Sequence, residues 1–153
     1  MGDAEPNLGM QFAFAFRALA DRHAEVLGEL LGEDLRPAHA YLMRAVADEP
    51  QSVSRLAGML QVSKQAASQM VDLLEDRGLV ARTVNAADRR TRDVTTTPRG
   101  EEVLATADRA WRTVENEVAE AVGPRAYAAL TKALHAYLAA SGTGTTGGVR
   151  PIW

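Results

Sequence analysis

The sequence predicts a mainly α-helical chain with one small β-hairpin. Three observations predict it. Apolar residues recur at helical spacing over most of the length. Two short β-branched runs, residues 79–84 and 92–97, depart from that spacing. Pro, Gly, Ser and Thr stand where helices should begin and end. The 153 residues favour one domain, or one domain with an extension. With 46% hydrophobic and 24% charged residues, the profile is that of a soluble globular protein with material for a real core.

The first helix spans residues 8–31, with Leu8, Phe12, Phe16, Leu19, His23, Val26 and Leu30 along one face and Gly32 as its stop. At ~1.5 Å per residue it reaches some 36 Å, longer than one small core requires. A second helix over 37–47 opens on a proline, and Tyr41, Leu42, Ala45 and Val46 line its inner side. Ser52 caps a short helix through Leu60, with Leu56 and Leu60 buried. Ser63 caps the next, which ends at Gly78 and buries Ala67, Met70, Val71 and Leu74. Strands at 79–84 and 92–97 flank "NAADRRT", whose Asn and Asp are turn formers. Thr97 and Pro98 start a helix to about 121, through Val103, Leu104, Ala107, Trp111, Val114 and Val118. Gly123-Pro124 breaks it, and a last helix over 124–140 carries Tyr127, Leu130, Leu134, Tyr137 and Leu138. The Gly/Thr-rich end, 142–153, reads as a flexible tail in which Ile152-Trp153 either docks on an apolar groove or stays loose.

Composition narrows the function. No run of 18 apolar residues occurs, so no membrane span is expected. "MGDAEPNLGM" lacks the basic-then-apolar order of a signal peptide and the Ser or Thr of a myristoylation signal. No cysteine is present, which removes disulfides, thiolate metal sites and cysteine redox sensing and makes the cytoplasm the default location. His23, His39 and His135 lack metal-ligand spacing, so no metal and no cofactor is expected. No Gly-rich phosphate loop, nucleophile elbow or HExxH appears, so an enzyme is not expected.

The net charge of −3 hides a segmental polarity. Residues 50–100 hold eight basic and five acidic side chains, and the rest of the chain nine and fifteen. Segmental charge is what electrostatic recognition uses. The order helix, short helix, turn, helix, hairpin is that of a winged helix-turn-helix. The outward residues of the helix after Ser63 are Lys64, Gln65, Ser68, Gln69 and Asp72, short hydrogen-bonding groups with one lysine. Gln65 and Gln69 suit adenine edges in the major groove, and Ser63 and Ser68 suit bases or phosphates. A hairpin wing beside this helix places Arg89, Arg90 and Arg92 near the phosphate backbone or the narrow minor groove, whose negative potential draws arginine. Arg82, on the incoming strand, is expected to reach phosphate. Asp88 is expected to accept hydrogen bonds from Arg90 and steer its guanidinium.

These residues resemble the MarR family, the multiple-antibiotic-resistance-type regulators. The likeness is carried by Leu56-Ala57, Val62-Ser63, Leu74-Glu75 with Gly78-Leu79-Val80, Arg82, Asp88-Arg89-Arg90 and Thr97-Pro98-Arg99-Gly100, and it extends over residues 10–140. Ala66 and Ala67 stand where the family often has Thr-Val, which removes a hydroxyl from the reading helix, and Thr96-Thr97 where Leu-Thr is usual. The resemblance implies a triangular homodimer whose first and last two helices form the dimer platform. Its two winged domains take half-sites of a pseudo-palindrome about one DNA turn apart. Independently, three long apolar-striped helices around a small core exceed what one monomer buries.

The expected organisation is an N-terminal dimerisation helix at 1–36, a winged helix-turn-helix DNA-binding domain at 37–98, C-terminal dimerisation helices at 99–141 and the tail at 142–153. The expected function is a repressor of transcription, a homodimer on double-stranded DNA released by a small aromatic or anionic effector. Phe12, Phe16, Arg17, His39, Met43 and Trp111 are candidates to line the effector pocket, with a plain core role as the alternative. The alternative functions are a DNA binder without an effector, or an interaction protein that kept only the winged-helix fold.

Overall fold

A computed structural model describes residues 6–32, 35–85, 87–88 and 90–142. Arg89 and residues 143–153 of the expected tail lie outside the described residues. The described residues form α1 (Leu8–Leu31), α2 (Pro37–Asp48), β1 (Gln51–Ser52), α3 (Val53–Leu60), α4 (Lys64–Asp76), β2 (Val80–Val84), β3 (Arg92–Thr96), α5 (Pro98–Val122) and α6 (Pro124–Ala140).

Side-chain caps set most of the helix starts. The Ser52, Ser63 and Thr97 hydroxyls accept the backbone N–H three residues on, from Arg55 (3.2 Å), Ala66 (3.1 Å) and Gly100 (3.0 Å). The Asn7 Oδ1 does the same for Met10 at 3.0 Å, a cap outside the sequence expectation. β2 and β3 form the expected hairpin, with Arg82 opposite Val94 and Val84 opposite Arg92. The sheet has a third strand that sequence reasoning missed. β1 pairs antiparallel with β3, Gln51 opposite Val94, giving the order β1-β3-β2. Two residues are too few to show a strand's alternation.

The core gathers α2, α3, α4, the sheet and the first half of α5. Leu42, Met43, Leu56, Val71, Leu74, Leu79, Val80 and Val94 are all fully buried there. Gly100 explains the Thr-x-x-Gly spacing. A Cβ at that position would lie 2.1 Å from the Leu79 carbonyl oxygen, so only glycine lets α5 start against the strand. Thr97 completes the junction: its hydroxyl donates to the Gly78 carbonyl at 2.6 Å, and its N–H donates to Leu79 O at 3.2 Å.

The long helices behave differently. α1 packs on α5, and α5 on α2 and α6. Arg22 reaches from α1 to Glu117 on α5 with two bonds of 2.8 and 2.9 Å, and Arg44 on α2 pairs with Asp108 on α5. Of the expected α1 stripe only His23 and Val26 are buried, joined by Leu27; Leu8, Phe12 and Leu30 are exposed. The helix simply runs past the surface its own chain offers. α6 buries no residue at all. On α2, Tyr41 is exposed and Met43 takes the inner position.

Candidate nucleic-acid interface

α3, a turn through Gln61 in the left-handed region (φ 52°) and α4 make the helix-turn-helix. Ala67, Val71 and Leu74 seat α4 on the core. That fixes which side faces out. Ser63, Lys64, Gln65, Gln69 and Asp72 are exposed and Ser68 is half-buried. The Ser63 hydroxyl oxygen is used as the cap, which leaves its proton available to an outside acceptor.

The hairpin tip is built from local side-chain bonds. Asn85 Oδ1 accepts the N–H groups of Ala87 and Asp88, both at 2.8 Å, and Asn85 Nδ2 donates to Asp93 at 2.6 Å. Asn85 N–H donates to the Thr91 carbonyl at 3.1 Å, and Thr91 N–H to the Asp88 carbonyl at 3.0 Å. Arg90 and Arg92 project from this tip with exposed side chains.

Asp88 and Arg82 both make bonds within the chain. Asp88 accepts from the backbone N–H of Arg90, at 2.9 Å, and not from its guanidinium. The carboxylate therefore shapes the turn and leaves the Arg90 charge unclamped. Arg82 points away from open solvent and pairs with α4. Its guanidinium bonds Asp72 at 2.5 Å and also Glu75, and its backbone N–H donates to Glu75 at 3.1 Å. Partial burial disfavours its charge, and the hydrogen bonds and charges of Asp72 and Glu75 more than offset this, so its pKa is raised. The strand's alternation tells only that Arg82 leaves one face; the carboxylates seven and ten residues back meet it through the turn at Gly78.

The six candidate pocket residues stand in different surroundings. Phe12 and Arg17 are exposed on α1, Phe16 is half-buried, and Met43 is fully buried in the core. Trp111 stacks on His23, ring centroids 4.2 Å apart and planes 20° off parallel, while His23 Nε2 bonds the Ala107 carbonyl at 3.1 Å. Burial pushes the His23 pKa down, against the opposing effects of that carbonyl and of Asp108. His39 borders an open groove of about 450 Å³ between α2 and α4, with Arg36, Gln69, Val62, Met70 and Leu73 among its walls. Sequence reasoning missed Arg36 and this groove, because helix spacing does not reveal how two helices diverge. Among the described residues no three His, Asp or Glu converge on a metal-sized point.

A helix-turn-helix whose second helix, α4, shows an open polar face and is flanked by an arginine-tipped hairpin defines a winged helix-turn-helix protein. The MarR-family sequence profile matches residues 33–91. The transcriptional regulator HosA of Escherichia coli O127:H6 is 37% identical over 93 residues, 60% of this chain and 67% of HosA. The fold matches wild-type MarR of E. coli in its apo form, with a TM-score of 0.73 over 88% of this chain and 99% of that one, at 22% identity. It also matches the transcriptional repressor CouR, solved bound to a 23-mer DNA duplex, with a TM-score of 0.69 at 25% identity over 85% of this chain and 91% of CouR. The chain belongs to the MarR family of transcriptional regulators.

Proposed function

We propose that the chain acts as a homodimeric repressor that reads a pseudo-palindromic operator in double-stranded DNA. One head, residues 37–98, takes each half-site, and residues 1–36 and 99–141 form the platform. The observation that carries the reading is the exposed face of Lys64, Gln65 and Gln69 on α4, with the exposed Arg90 and Arg92 of the wing beside it. α4 enters the major groove, where Gln65 and Gln69 address base edges and Ser63, Lys64 and Ser68 address bases or phosphates. The wing's Arg89, Arg90 and Arg92 meet the backbone or minor groove, and Asp88 holds the turn from which Arg90 projects. Repression is the reading supported by the repressor CouR, which shares the fold and was solved on DNA. The dimer is supported by α6, apolar yet with no buried residue. No helix among the described residues is long and apolar enough to cross a membrane, and we place the protein with the DNA, in the cytoplasm.

We assign the effector to the groove between α2 and α4, because it joins apolar walls to a cation and borders the reading helix at Gln69. A small aromatic carboxylate suits Arg36 and His39 over Met70 and Leu73. Its binding shifts α4 and lowers operator affinity. Fluorescence anisotropy with a labelled duplex from upstream of the protein's own gene tests the whole reading. Salt-dependent binding well above a scrambled duplex is expected, weakened by small aromatic acids. Equal affinity for both duplexes refutes operator reading, and an affinity indifferent to such acids refutes the effector.

A further inference from the structure

The geometry points to Arg82 as a positioning residue for DNA reading, one that locks the wing to α4 and offsets part of the charge of two carboxylates on that helix. The inference rests on the DNA-binding reading above. Its starting point is a charge problem. Between Lys64 and Asp76, α4 carries one lysine against Asp72, Glu75 and Asp76. Asp72 stands four residues after Ser68 and seven after Gln65, so it continues the stripe assigned to base edges. Glu75 follows three residues later, one turn on. Left alone, this acidic end of the reading helix faces phosphates and repels them.

Arg82 answers both carboxylates with one fork. Its side chain is 23% exposed, against 57% for Asp72, so the guanidinium sits behind the carboxylates and not in front of them. Two of its five N–H donors are committed to Asp72 and Glu75, and a phosphate contact that drew the guanidinium away from them would leave two bare negative charges at the interface. The same bonds are mechanical. The Arg82 N–H and guanidinium both hold Glu75, which ties β2 to α4 immediately beyond the Gly78 turn. Asn85, where the tip begins, is three residues further along, ~10 Å at ~3.3 Å per residue. A tilt of the strand at Arg82 is therefore carried outward to Arg90 and Arg92. Bridging both carboxylates and holding the strand aligned need a planar, two-pronged cation, which arginine supplies and lysine does not.

The test is a cycle in the full-length protein, read by anisotropy on the upstream duplex over a range of salt. Arg82→Gln is measured alone and in an Asp72→Asn/Glu75→Gln background. The positioning role predicts a loss of about tenfold or more in the wild-type background and less than about threefold once the carboxylates are gone. It also predicts an unchanged slope of log affinity against log salt. Arg82→Lys falls between wild type and Arg82→Gln. The same loss in both backgrounds, with the slope flattened by about 0.9, identifies a direct phosphate contact and overturns the proposal. A wild-type chain that binds no duplex refutes the DNA reading and this role with it. In that event, urea unfolding of the same four proteins still judges the clamp: additive losses mean that Arg82 and the carboxylates do not act together.

Discussion

In the reading head, Leu42, Met43, Leu56, Leu74 and Leu79 are closed off from water within a single chain. In the platform, α6 spans seventeen residues and buries none, and Leu130, Tyr137 and Leu138 stand 46%, 64% and 39% exposed. Phe12 and Phe14 of α1 and Val122 of α5 are exposed in the same way. Both regions have the apolar periodicity of stable helices, so propensity does not separate them. What separates them is where the covering surface comes from. The head finds its own within the chain, through a three-stranded sheet, α2, α3 and α4 and the first half of α5. The platform does not, and each large apolar side chain left in water forgoes about 1.5–3 kcal/mol of burial. That uncovered apolar face is the observation behind the proposed dimer.

The sharpest way to break this contrast is to charge the platform. Leu130→Asp with Leu138→Asp is expected to convert a dimeric mass in light scattering to a monomeric one. Operator affinity should fall by about a hundredfold or more, because each half-site is then held separately. A variant that stays dimeric places the interface elsewhere. Truncation in the head acts on the other side of the contrast. Leu74→Ala is expected to cost about 2–5 kcal/mol in urea unfolding. Gly100→Ala should cost about 1–3 kcal/mol, since the Leu79 carbonyl must move aside. The dimer mass should survive in any head variant that remains folded. Leu138→Ala should instead give a stability loss that is largest where the wild type is dimeric and shrinks as the protein is diluted toward the monomer.

The same contrast explains what could be read from the sequence. Each of the six helices falls within a few residues of its expected span, because Ser52, Ser63, Thr97, Pro37 and Pro124 carry local start signals. The exposed face of α4 follows from period alone. Burial on α1 does not, since an apolar stripe is the same whether its partner is in the chain or outside it. β1 escapes sequence reasoning because its pairing with β3 is long-range and only two residues long. The partners of Asp88 and Arg82 escape it for a related reason. The sequence shows which charges are near one another, and not whether a carboxylate turns to a guanidinium or to a backbone N–H.

The wing offers a finer test of the head. Arg90 is exposed and its guanidinium is not held by Asp88, so its charge is open to a phosphate. Arg90→Ala is expected to weaken binding about tenfold on operator and scrambled duplex alike, and to flatten the salt slope by about 0.9. A loss confined to the operator would make Arg90 a base reader. Asp88→Ala should loosen the turn through loss of the Arg90 N–H bond, and reduce affinity by a smaller factor without changing the slope.

The smallest effect lies where α1 meets α5. His23 is 3% exposed, stacked on Trp111 and bonded to the Ala107 carbonyl, and burial holds its pKa below the ordinary value. The unfolded chain, with a histidine near about 6.5, therefore binds a proton more readily than the folded one. Stability from this group is fully present above that pH and is lost as pH falls toward the lower folded value. The Arg44–Asp108 pair on the neighbouring turn of α5 bears on the size of the loss, because Asp108 opposes the shift. Urea midpoints should decline between about pH 7.5 and 5 in the wild type and decline less in His23→Phe, which keeps the ring stack but has no proton to gain. Equal declines in the two proteins would move the acid sensitivity to other groups, and would leave His23 as a packing residue between the two platform helices.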